Sequence, residues 1–162
     1  MDPDPLLFLN TLVTSLDLTW FQALLVLFLL LSSALISGSE VAFFSLQLKS
    51  LEDPDETEPS PAIQRVINLL RKPKRLLATI LVANNFINIA IVLLFTMLGK
   101  TLFHSIQNPV LLLFIEVGII TTLILIFGEI LPKVYANRNA LAFSKRMAPL
   151  INVLDQYLLV WI

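Results

Sequence analysis

Three short runs place polar side chains inside stretches that are otherwise apolar. The first holds Ser32, Ser33, Ser37 and Ser39, with Gly38 between the last two and Glu40 following. The second holds Asn84, Asn85 and Asn88, and the third has Glu129 beside Gly128, just before Pro132. Hydroxyls, amide carbonyls and a carboxylate are hard oxygen donors, the set that suits Mg²⁺ or Na⁺ and disfavours soft or imidazole-seeking metals. Asn84 and Asn88, four apart, share a helix face, whereas Asn85 shares a face with Asn88 but points about 100° away from Asn84. A glycine between two serines near a helix end would let the backbone deviate and turn a carbonyl inward, which is tolerated at membrane depth where it lines a cavity. The chain has no cysteine and a single histidine, His104. Disulfides, thiol nucleophiles and zinc–thiolate centres are therefore excluded, and neither a His cluster nor a Ser–His relay is available. A glutamate without a base-and-nucleophile set does not make an intramembrane enzyme, and no catalytic residue is assigned.

Each candidate also has a structural reading. Serines in membrane helices bond their own i−4 carbonyl or permit close packing, and asparagines bridge helices for about 0.6–2 kcal/mol. A carboxylate at a helix centre costs about 2.5–3.5 kcal/mol to insert, which makes it a functional candidate by default. Glu129 lies near the end of its stretch, where snorkelling lowers that cost. Glu116, in the same stretch, is expected to be structural, Lys133 to be an interfacial anchor and His104 to be solvated.

These groups must be positioned by membrane-crossing elements. Of 162 residues, 57% are hydrophobic and 14% charged, and the mean hydropathy is +0.84, against about 45–50% apolar and 25% charged for soluble domains. So few charges cannot cover a water-exposed surface, and a net charge of −1 gives no basic face for nucleic acid. Charged residues bound three spans, at about 18–39, 76–99 and 109–131, the third containing Glu116 and Glu129. About 20 apolar residues cross the hydrocarbon. The acidic N-terminal region, with Asp2, Asp4 and Asp17, argues against a cleaved signal peptide. Lys and Arg number 0, 6, 1 and 4 in the four flanking segments, which predicts the N-terminus outside and the C-terminus in the cytoplasm. Asn84 then lies roughly 12 Å into its span, and all three polar runs fall in the inner half of the bilayer. The polar groups of three helices can thus meet.

Outside the spans, Ser60-Pro61 predicts an N-cap followed by a first-turn proline. It opens an amphipathic juxtamembrane helix at about 61–72, whose basic end suits anionic headgroups. The acidic stretch Glu52–Glu58 reads as a solvated loop. A last helix, about 140–162, carries Phe143, Met147, Leu150, Leu154 and Leu158 on one face, for the interface or for a partner helix. Its apolar end suggests a chain that continues into a cytoplasmic portion.

Ser37-Gly38-Ser39-Glu40-Val41-Ala42-Phe43-Phe44-Ser45, Ala83-Asn84-Asn85-Phe86-Ile87-Asn88-Ile89 and Gly128-Glu129-Ile130-Leu131-Pro132-Lys133 together resemble the transmembrane domain of the CorC/CNNM family of membrane transporters. The last run is the most specific, and with the three-span layout the likeness covers nearly the whole chain. The resemblance implies an all-α membrane domain of three spans with juxtamembrane helices, assembled as a homodimer in the plasma (inner) membrane. A cytoplasmic CBS-pair module would follow it in full-length members. It implies Mg²⁺ efflux, coupled in some proposals to Na⁺ entry, with metal ligands at Ser37, Asn84, Asn88 and Glu129. Ser39, Gly38, Asn85 and Gly128 rank second. A bacterial branch that includes gliding-motility proteins is similar in this domain, and for it the alternative is a membrane interaction or scaffold module without transport.

Overall fold

The computed structural model describes residues 5–51 and 60–158, and every element in them is helical. In order these are α1 (Pro5–Phe44), α2 (Leu48–Leu51), α3 (Pro61–Leu70), α4 (Pro73–Leu102) and α5 (Pro109–Leu123). A π-helical segment (Ile124–Ile130), α6 (Leu131–Arg138) and α7 (Ala140–Leu158) follow. Three stretches are long and apolar enough to cross a membrane: Leu18–Phe44, Pro73–Leu102 and the composite Pro109–Arg138. The helices run past the charges that bound the apolar stretches, because charged residues at a span's end continue the backbone hydrogen bonding while their side chains reach for water. The acidic stretch at 52–58 and the end of the last helix at 159–162 lie outside the described residues.

Helix starts follow local chemistry. Proline opens α3, α4 and α5, where its missing N–H leaves no bond unmade. Asn108 caps α5, its Oδ1 accepting from the backbone N–H of Val110 at 3.0 Å and Leu111 at 3.3 Å. Ser60 stands at the N-cap of α3, but its side chain makes no capping hydrogen bond, a departure from the predicted cap.

α1 packs against α4, the π-helical segment, α6 and α7, while α3 and α7 form a belt at the end of the bundle where α4 begins. Large side chains such as Trp20, Phe21, Leu24, Phe28, Phe86 and Phe114 point outward, as lipid-facing surfaces do. Two apolar clusters lie inside. One joins Ile36 and Phe43 to Leu76, Ile80, Val66, Met147 and Ile151 at the belt end; the other is Val26, Ile91, Phe95 and Ile120 at the opposite end. Along α1 and α4, Ser32, Ser33, Asn84, Asn85 and Asn88 fall between them, while Ser37 and Ser39 lie past Ile36, within the stretch of the first cluster.

The belt sharpens one expectation. In α7 Met147 is buried and Phe143 and Leu154 pack against the first cluster, so the predicted stripe meets protein; Leu150 is exposed, and Ser144, Ala148 and Ile151 complete the inward face. The side chain of Leu158 lies outside the described residues. Small side chains such as Ser144 and Ala148 share these contacts, because they let helices approach closely. Gly38 follows the same rule. α1 continues through it without a break, and a Cβ there would stand 2.8 Å from the Phe143 ring. Its glycine admits α7 instead of turning a carbonyl inward.

Candidate functional site

The polar layer is built from three separate helical segments. α1 contributes Ser33, fully buried. Its Oγ lies 2.8 Å from Asn88 Oδ1 and 3.3 Å from Asn84 Oδ1, both on α4. One hydroxyl proton is shared between two amide carbonyls, so both carbonyl oxygens face the same point. Asn88 turns its Nδ2 the other way, donating to Glu129 Oε1 at 3.4 Å. Gly128 is buried against Ser33, and a Cβ there would lie 3.0 Å from Ser33 Oγ. Glycine is what leaves the hydroxyl its room.

Gly128 and Glu129 sit in the π-helical segment, where the N–H of Leu131 bonds the carbonyl of Ile126, five residues back. Such wider turns recur at functional sites. Here it lies where two consecutive residues are used at once, a glycine as contact surface and a carboxylate as acceptor. Gly128 also spares the neighbouring helix a side chain at the point of closest approach.

Ser37 is buried one turn along α1 from Ser33, on the same face. Ser32 and Ser39 donate to the carbonyls four residues back, Phe28 at 2.9 Å and Leu35 at 2.7 Å. Ser37 does not: its Oγ is buried with no hydrogen-bond partner among the described residues. An orphaned hydroxyl in an apolar interior is disfavoured by about 1–3 kcal/mol, unless it is kept for something that binds there.

Of the predicted positions, Asn84, Asn88 and Glu129 are thus brought together with Gly128 beside them, and Ser37 flanks them. Ser39 is spent on its own helix, Gly38 on packing, and Asn85 is exposed on the outer surface of α4. Ser33 is the member that motif reading passed over. The signal was present as a Ser33/Ser37 pair four apart that matches the Asn84/Asn88 pair on the facing helix. Among the described residues no group of three or more His, Cys, Asp or Glu could hold a metal ion. Any cation here would therefore be held mainly by neutral oxygens.

Two other groups complete the charge picture. Lys133 Nζ pairs with Glu40 Oε2 at 3.1 Å, one turn beyond Ser37, so it is more than an anchor. On the third span Glu116 is buried against Gly99 of α4, its Oε1 without a partner among the described residues.

The sequence matches the model of the cyclin M transmembrane N-terminal domain over residues 24–162. It is 34% identical over 73% of its length to the inner membrane protein YfjD of Escherichia coli, covering 27% of that protein. It is 31% identical over 91% of its length to a UPF0053 protein of Haemophilus influenzae, covering 34% of it. With the metal transporter cnnm-4 of Caenorhabditis elegans it shares 33% identity over 71% of its length, covering 24% of that protein. The chain spans about a quarter to a third of the length of these relatives.

Proposed function

The chain belongs to the cyclin M (CNNM) transmembrane-domain family, and from that premise we propose that it is the ion-carrying domain of a Mg²⁺ transporter. The cargo is held between the three spans by Ser33, Ser37, Asn84, Asn88 and Glu129. Mg²⁺ takes about six oxygens in near-octahedral array and sheds water reluctantly. Five side chains and a backbone carbonyl from the turn around Gly128 supply that number. When the ion enters, the two asparagine carbonyls exchange the Ser33 proton for the cation, and Ser37 gains the partner it lacks.

One carboxylate balances half the charge of Mg²⁺. Binding is therefore reversible and open to competition by Na⁺, which suits efflux driven by Na⁺ entry. The apolar clusters above and below the layer supply the two barriers that alternating access requires. With the N-terminus outside, the layer loads from the cytoplasmic side, and a homodimer carries one ion per protomer.

The observation that carries this reading is the convergence of Ser33, Asn84, Asn88 and Glu129 from separate spans beside a buried Ser37 hydroxyl that has no partner among the described residues. Isothermal titration with Mg²⁺, Ca²⁺ and Na⁺ in turn tests it. Asn84→Leu combined with Asn88→Leu should abolish Mg²⁺ binding and flux. If both survive and only disruption of the dimer abolishes function, the layer is interhelical glue and the domain is a scaffold.

A further inference from the structure

The Glu40–Lys133 pair stands at the end of the polar layer, Glu40 on α1 and Lys133 on α6, which continues the π-helical segment. On α1 the series Ser33, Ser37, Glu40 advances by one turn at each step, and on the third span Glu129 is followed four residues later by Lys133. The rungs stack: hydroxyls and amides, then the unpaired Ser37, then an ion pair with Nζ–Oε2 3.1 Å. Glu40 lies about 4.5 Å along the helix axis from Ser37 at 1.5 Å per residue. Both partners are about one-third exposed, 36% for Lys133 and 35% for Glu40, and the pair stands near the end of both spans, one turn from Ser37 and from Glu129.

We infer that Glu40 is an entry site for the cation at the mouth of the layer, with the Lys133 ammonium as the tethered counter-ion that occupies it between transport events. The inference rests on the reading of the layer as a cation site. An ion pair this exposed adds little stability, too little to brace two helices and little enough to open each time an ion arrives. A carboxylate has about four acceptor positions. A hydrated divalent cation can engage Glu40 while Lys133 still holds Oε2, and it then displaces the single charge with a double one. The ammonium swings to water, the way to Ser37 opens, and the pair re-forms behind the ion. Anions meet a lysine with no free role for them, so the mouth also selects by charge.

Because the chain contains no cysteine, a single thiol reports on this route without background. In Ser37→Cys, the rates of modification by a trimethylammonium methanethiosulfonate and by its sulfonate analogue are measured on the full chain in proteoliposomes without Mg²⁺. Adding Lys133→Gln should speed the cationic reagent at least tenfold and raise its preference over the anionic one. Adding Glu40→Gln as well should return that preference to near unity while the thiol stays reachable. An ion pair that only braces the helices would accelerate both reagents alike in both backgrounds. That result, or a thiol equally reactive with the pair intact, overturns the inference. Should Ser37→Cys not fold, Mg²⁺ flux decides: Glu40→Gln is expected to slow it at least fivefold and Lys133→Gln to speed it at low Mg²⁺, and equal fluxes refute the entry site. Since the thiol measurement needs no bound ion, it can fail while Glu129→Gln still weakens binding, and the reverse.

Discussion

Two carboxylates lie in the same composite span and have opposite surroundings. Glu129 is half-buried, reached by Asn88 Nδ2, and sits beside hydroxyl and carbonyl oxygens from two other helices. Glu116 is 5% exposed, wedged against Gly99, with an oxygen that nothing among the described residues satisfies. An insertion cost falls on both, yet only Glu129 belongs to the oxygen cluster proposed to hold a cation. Burial alone therefore does not mark an ion site. What marks it is the number of separate elements that send an oxygen to one point.

The largest effect expected from this contrast is at Glu129. Glu129→Gln keeps the shape and removes the charge, and Mg²⁺ affinity should fall by about 10- to 100-fold, in line with about 1.5–3 kcal/mol for a contact to a charged group. Isothermal titration reads it, and an unchanged affinity would erase the distinction between the two acids. At the other end Gly99→Ala puts a methyl where the Glu116 carboxylate now lies, and overpacking of this kind destabilises by about 1–3 kcal/mol. Thermal unfolding in detergent should show most of that loss recovered by Glu116→Ala in the same chain, a coupled pair in a double-mutant cycle. Mg²⁺ affinity should stay within about twofold throughout, as expected for sites that share no partner.

A smaller effect sharpens the contrast from within the layer. Gly128→Ala would set its methyl 3.0 Å from Ser33 Oγ, forcing the hydroxyl off its rotamer for about 0.5–1.5 kcal/mol. Mg²⁺ affinity should drop by about two- to tenfold with the fold intact by circular dichroism. The smallest belongs to a third acid, outside the spans. Asp155 on α7 accepts from Arg75 Nε at 2.7 Å and lies 3.0 Å from Thr79 Oγ1. Arg75 is 41% exposed, however, so water competes for it. Asp155→Asn should cost about 0.2–1 kcal/mol of stability and leave Mg²⁺ titrations unaltered.

Much of the site is legible in the sequence, because polar groups in an apolar stretch are conspicuous whatever the fold. Asn84, Asn88 and Glu129 stand out by that measure alone. Ser33 does not, since the four serines of its polar run look alike until their acceptors are known: two bond backward to their own backbone, one bonds across to α4, and one has no partner among the described residues. Gly38 was misleading for a related reason. A glycine beside serines suits a bent backbone as well as a close packing contact, and only the position of Phe143 separates the two. The belt helix α7 shows the limit of periodicity, whose stripe of large residues marks a face without saying whether protein or lipid covers it.

By itself the amino-acid sequence determined the all-helical membrane class, the three stretches long and apolar enough to cross a membrane, the placement of proline at helix starts and the lack of any thiol in these 162 residues. All of these follow from composition and from spacing along one chain. The tertiary structure decided which serine meets the asparagines, that Gly128 rather than a side chain faces Ser33, that Ser37 is left unpaired, and that Lys133 answers Glu40. Those outcomes depend on how far each helix is rotated and how closely small residues let it approach. Rotation and approach are properties of helix pairs, and in lipid they are set by packing rather than by an apolar stripe that could be read in advance.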